Sequence, residues 1–203
     1  MLQNRVTPLG EIIRTKARGA WMGNRGLLHN KLQEINRGYR LKAWITCKLE
    51  FKNWKRPVMA PGQYTELFFL DEATAFAAGH RPCAECRRED FIRFKSLWVL
   101  ANPVYGFDLK TPIAQIDEVI HRERLKEDGS KNTFETSGKN IPDGTFILHE
   151  NNPFLLMNGQ MYQWFPEGYG KATPMLSPKK IISLTPASII TTFRQGYLPQ
   201  VGL

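Results

Sequence analysis

His80, Cys83 and Cys86 follow one another at intervals of three within the stretch from Asp71 to Arg88. A Cys-x2-Cys pair lets two thiolates turn onto one soft cation such as Zn²⁺, and a tetrahedral structural centre asks for about four donors. Cys47 is the only other cysteine of the chain. It and His80 are the leading third and fourth metal ligands, His80 by proximity, with His29 and His121 as substitutes. The competing reading of Cys83 and Cys86 is an inert or redox-active pair. Three cysteines in a reducing compartment read as ligands or buried thiols before disulfides.

A second chemistry lies in the charge. Residues 1–62 hold 13 Lys and Arg against 3 Asp and Glu, whereas the whole chain is only +9. Such asymmetry fits a polyanion touching that third, nucleic acid first and an anionic membrane surface second, against the alternative of a solvated basic face without a partner. Arg18 and Arg25 flank a Gly23 to Gly26 turn whose amides could receive a phosphate. Arg40, Lys42 and Lys48 surround Trp44 on the polar face of an alternating segment, the pairing that stacks a base while neutralising its backbone. A covered tryptophan is the alternative there. These six residues, Arg18, Arg25, Arg40, Lys42, Trp44 and Lys48, are the candidate nucleic-acid contacts.

Catalytic candidates are few. Asp117 and His121 lie four apart on a predicted helix, so the carboxylate can orient the imidazole for general-base or metal-ligand work, or form a plain surface hydrogen bond. The chain has no Ser/His/Asp signature, no Gly-x-Gly-x-x-Gly and no His-Glu-x-x-His. The expected function is therefore a zinc-binding protein with a basic, nucleic-acid-binding N-terminal surface. The alternative is a metal-dependent enzyme acting on nucleic acid or another phosphorylated or alkylated substrate, with His121, Asp117 and His80 near an open metal position.

The elements that must position these residues read as an α+β fold of mixed strands and about four short helices, a small zinc-stabilised core and a C-terminal β-hairpin section. Residues 40–51 alternate apolar and polar, which predicts a half-buried strand with Cys47 on the apolar side. There it is either a small buried hydrophobe or a third ligand. Trp54-Lys55-Arg56-Pro57 and Ala60-Pro61-Gly62 make a turn, and Tyr64 to Leu70 a strand. Asp71 is a helix N-cap, and Gly79 ends that helix in the left-handed region. A second helix runs from Cys86 to about Leu100 with Phe91, Phe94, Leu97 and Trp98 at helical spacing. A third runs from Thr111-Pro112 to about Lys126 with Ile113, Ile116 and Ile120 buried. Asn158-Gly159 between apolar runs predicts a type I′ hairpin, and Thr185-Pro186 opens a last helix.

The residues Gly79-His80-Arg81-Pro82-Cys83, two more, then Cys86, preceded by an alanine-rich helix, resemble the second half of the zinc-binding domain of Ada-type DNA methylphosphotriester repair proteins. The resemblance covers about residues 68–88 and implies zinc on Cys83 and Cys86, with DNA ahead of RNA as partner. That family carries an aromatic ring where His80 stands, which implies packing for His80. Its upstream Cys-x3-Cys, source of the other ligands and of the methyl-accepting thiolate, is absent, so methyl transfer is not implied. Taken whole, the chain also resembles a group of bacterial proteins, a resemblance that implies no activity.

At 203 residues and 42% hydrophobic content the chain can bury one sizeable core or two small ones. Residues 1–105 and 106–203 are the best division on offer, with a single domain as the alternative. No apolar run approaches the about 20 residues of a membrane span, and the start, Met1 to Arg5, lacks the apolar stretch of a signal peptide. A cytoplasmic location with no membrane partner is expected.

Overall fold

A computed structural model of the chain describes residues 1–53, 57–139, 141–175 and 180–203. Residues 54–56 of the turn expected at Trp54-Lys55-Arg56-Pro57 lie outside them. The N-terminal strands are β1 (Gln3–Val6), β2 (Ile12–Arg14), β3 (Trp21–Asn24), β4 (Ile45–Cys47), β5 (Leu67–Phe69) and β6 (Arg81–Pro82). They form one mixed sheet in the order β2-β1-β5-β3-β4-β6. The C-terminal strands are β7 (Phe134–Ser137), β8 (Phe146–His149), β9 (Asn152–Met157), β10 (Gln160–Phe165), β11 (Gly168–Pro174) and β12 (Lys180–Ser183). Their order is β11-β10-β9-β8-β12-β7, all antiparallel. The α-helices are α1 (Glu72–Ala77), α2 (Arg88–Ala101), α3 (Ile113–Arg124) and α4 (Ala187–Arg194). Two sheets with segregated helices make the α+β class expected from the sequence.

Helix α1 is the hub. Asp71 caps it, accepting from the Thr74 amide at 2.8 Å and the Thr74 hydroxyl at 2.7 Å. Its other carboxylate oxygen accepts from Tyr169 Oη at 2.6 Å and the Gly202 amide at 3.0 Å. The helix therefore ties β11 and the C-terminal segment to the first sheet. Phe76 enters one core with Phe94, Trp98, Ile116, Val119, Ile120, Ile189 and Phe193, while Ala73 and Ala77 enter another with Phe146, Leu155 and Leu184. The first of these cores joins α1 and α2 to α3 and α4, across the Asn102 to Lys110 segment. Gly79 follows α1 at φ +86°, and a Cβ there would collide with the Arg124 side chain. Glycine is needed for both reasons.

Several expected elements differ in detail. The strand expected over Tyr64 to Leu70 is Leu67–Phe69, and the helix expected from Cys86 begins at Arg88. Of residues 40–51 only Ile45–Cys47 is strand. The amides of Arg40 and Leu41 both donate to the Arg25 carbonyl (2.9 and 3.0 Å), so they leave the ladder. The Gly23 to Gly26 turn begins instead as β3, with Gly23 paired to both Thr46 and Leu67. Helix α3 starts one residue later than expected, with Pro112 rather than Thr111 in the cap position. The Asn158-Gly159 hairpin joins β9 to β10 with φ +52° and +70°, as a type I′ turn requires.

Candidate metal centre and the adjoining cationic cleft

Parallel pairing of β4 with β6 sets Ile45 beside Arg81 and Thr46 beside Pro82. The Arg81 amide donates to the Trp44 carbonyl at 3.1 Å and the Cys83 amide to the Thr46 carbonyl at 2.9 Å. The two segments thus run in step from Trp44 and His80 at one end to Cys47 and Cys83 at the other. At about 3.3 Å per residue, the two ends lie about 10 Å apart. Each end carries a cluster.

At the cysteine end, the sulfurs of Cys47, Cys83 and Cys86 all lie within 4.8 Å of one another. Zn–S bonds of about 2.3 Å at a tetrahedral angle put sulfurs roughly 3.8 Å apart, so the donor set fits a soft, thiolate-binding cation. Cys47 and Cys86 are buried and Cys83 is half-buried. Hydrogen bonds with Cys47 and Cys86 pull the Cys83 thiol down to about 2. Hydrogen bonds to Cys83 and Cys86, with burial, push Cys47 far up. A soft cation held by the three sulfurs as thiolates would displace their protons. Every His, Cys, Asp and Glu of the chain lies among the described residues, and this group has three members.

His80 is elsewhere. Its ring packs on Phe69 and Trp44, with centroids 4.6 and 5.1 Å away, and it accepts from Arg25 Nε at 3.3 Å. Burial first, then Arg25 and Arg124, holds it well below the ordinary imidazole range and so neutral. It packs among rings and is not a member of the sulfur group. His29 bonds Thr65 Oγ1 at 2.6 Å, and His121 bonds Arg124 Nη2 at 2.7 Å. Neither belongs to the cysteine cluster.

At the other end Trp44, expected on a polar face, is 2% exposed. It directly precedes β4, which lies between β3 and β6 in the sheet. Two guanidinium groups lie over its ring, Arg25 at 3.8 Å and Arg124 at 3.7 Å. Both arginines are buried, and burial lowers Arg25 to about 9. Arg25 donates to the carbonyls of Gly10 (3.0 Å) and Gly38 (3.5 Å), and Arg124 to those of Gly79 (2.8 Å) and Lys42 (2.6 Å). Arg25 and Trp44 line a cleft of about 410 Å³ with Gly10, Tyr39, Ser130 and Lys131. The remaining candidate contacts, Arg18, Arg40, Lys42 and Lys48, are exposed, and Lys42 pairs with Glu118 at 2.7 Å.

Asp117 and His121 do not form a couple. Asp117 gives both oxygens to Arg81, at 2.9 Å from Nε and 2.7 Å from Nη2, in a buried bidentate pair. His121 is lowered to about 4 by burial and by Arg124 and Lys42. Sequence reasoning missed Arg124, Tyr39 and Lys131. Arg124 had a signal, since it continues the Ile116 and Ile120 stripe at a further four residues, a charge on an apolar face. Lys131 follows the turn after α3 and had none.

No protein-family model, no curated protein and no solved structure matches the chain. The functional argument rests on these two clusters.

Proposed function

We propose that the chain is a zinc-stabilised protein that binds nucleic acid through the exposed basic residues of its N-terminal third. The observation that carries this reading is the meeting of Cys47, Cys83 and Cys86 within 4.8 Å. Thiolate-rich groups favour zinc over hard cations. A cation there fastens the end of β4, and with it the Arg40 to Lys48 segment, to the turn that opens α2. Arg18, Arg40 and Lys48 are exposed, which supports their use as phosphate contacts. Trp44 is covered, so base stacking on it is no part of the reading. DNA is favoured over RNA through the Ada-type resemblance of residues 68–88.

The test is binding of single- and double-stranded DNA and RNA across salt. Phosphate contacts make the logarithm of affinity fall linearly with that of salt. Replacing Arg18, Arg40 and Lys48 together by Gln should lower the slope by roughly two to three. No binding at low salt, or binding indifferent to salt, contradicts the reading.

The three-membered sulfur group favours one second reading. Three protein ligands with an open fourth position are the catalytic arrangement of zinc, and Cys83 is half-buried rather than sealed. In that reading the chain is a metal-dependent enzyme on a phosphorylated or alkylated substrate. Cobalt substitution separates the two: a spectrum perturbed by added small anions or thiols supports an open position, and an inert one supports a closed structural site.

A further inference from the structure

The cleft at the Trp44 end holds positive charge with which no carboxylate among the described residues ion-pairs. Arg25 and Lys131 line it, and Arg124 stacks on the same tryptophan. Among the described residues none of the three has a carboxylate within ion-pairing distance. Asp117 is taken by Arg81, and Glu118 by Lys42. Glu11 also lines the cleft and is exposed. Arg25 Nη2 and Arg124 Nε are buried without a hydrogen-bond partner. Lys131 reaches inward to the Ala77 carbonyl at 2.5 Å.

Burying cations without partners is costly, and native proteins keep them where something pairs with them. The two stacked guanidinium planes are held by Trp44, and the Gly10 and Gly38 carbonyls fix Arg25 further. The donors are therefore set in advance, with Arg25 offering part of the fork that suits oxyanions. A dianion matches the charge better than a single carboxylate. The volume, about 410 Å³, exceeds what a bare oxyanion needs and falls within the range of small-molecule sites. Tyr39, 39% exposed, offers a ring to whatever the anion is attached to.

We propose that this cleft binds the phosphoryl group of a phosphorylated ligand, paired with Arg25 and Lys131 and backed by Arg124, with the rest of the ligand against Tyr39. The site is separate from the exposed arginines and lysines of the nucleic-acid reading, so the two stand or fall independently. Free phosphate, a small phosphomonoester and the terminal phosphate of an oligonucleotide share the chemistry.

Lys131 provides the signature. Burial, then Arg25 and Arg124, lowers its ammonium to about 7. The other groups facing the cleft region are His80 and His121, both neutral at that pH, Tyr39 and Glu11. An anion favours the protonated lysine, so affinity falls as pH rises through about 7. Sulfate has constant charge there and isolates the effect.

The experiment is calorimetric titration of the purified full chain with inorganic phosphate, sulfate and acetate. Phosphate and sulfate should bind at one site and compete, with acetate roughly tenfold weaker or more. Sulfate affinity should drop by up to about tenfold per pH unit above that midpoint. Lys131→Met should bind sulfate roughly tenfold or more weakly at about pH 6 and lose the pH dependence. The same variant should melt no lower than the unmodified protein without anion, because it removes a buried charge. Absence of phosphate and sulfate binding at about 20 mM, or unchanged sulfate affinity in Lys131→Met, overturns the proposal. Competition with sulfate by a 5′-phosphorylated oligonucleotide only supports a strand-end ligand, and competition by neither form supports a small phosphomonoester. Equal competition by the unphosphorylated strand contradicts the proposal, since internal phosphodiesters would then suffice.

Discussion

Asp117 and His80 carry roles set by their surroundings rather than by their spacing. The Asp117 carboxylate neutralises Arg81 in a pair whose side chains are each 5% exposed. Asp117→Asn leaves Arg81 buried without its counter-charge, and a loss of about 3–5 kcal/mol is expected from denaturant unfolding. A loss under about 1 kcal/mol would show that the pair behaves like a surface bridge. His80 is held neutral, below its unfolded value, and so is His121. A histidine depressed in the fold contributes stability that is present above its unfolded value of about 6.5 and is lost as pH falls through that value toward the folded one. Stability should therefore decline between about pH 6.5 and 4. His80→Phe, which keeps a ring against Trp44 and Phe69, should make that decline shallower while leaving metal content unchanged. A drop in metal content in His80→Phe would return His80 to the ligand set. Proximity alone puts His80 among the ligands, and alternation leaves Trp44 open between exposed and covered, because it shows which residues share a face but not whether another element covers it.

Among the elements, α1 was the most legible, since its cap, its small buried residues and its terminal glycine agree at every level. Asp71 does more than the sequence implies, because its second oxygen holds Tyr169 and Gly202. Asp71→Ala should cost more than the about 1 kcal/mol typical of an N-cap alone, since two partners from distant segments are orphaned as well. Thermal melting reads this, and a cost within the usual cap range would mean that those bonds are replaced by water. Gly79→Ala adds a strained φ and a collision with Arg124, and a loss above 1 kcal/mol is expected. Because Arg124 lies over Trp44, the same change should also disturb the cleft. Strand β4 was overextended in the sequence reading. Its alternation is genuine, but the backbone of residues 40–41 is spent on Arg25, which only the tertiary arrangement decides.

At the scale of the molecule, the α+β class and the hairpin around Asn158-Gly159 follow from local turn and cap chemistry, while the order of strands within each sheet does not. The division at Asn102 to Lys110 has a core running across it, with Phe76, Phe94 and Trp98 on one side and Ile120, Ile189 and Phe193 on the other. A fragment of residues 1–105 would expose those three aromatics, so it should lack cooperative unfolding by circular dichroism, and a cooperative transition would establish an independent N-terminal unit. The sulfur cluster was half legible. Cys83 and Cys86 announce themselves by spacing, whereas Cys47 reaches them only because β4 runs parallel to β6. The account rests most on that meeting. Elemental analysis of protein purified without added metal, repeated on Cys47→Ser, tests it most directly. One zinc per chain, lost or strongly depleted in Cys47→Ser together with thermal stability, is the expected result. A metal-free unmodified protein, or full zinc occupancy in Cys47→Ser, would contradict it.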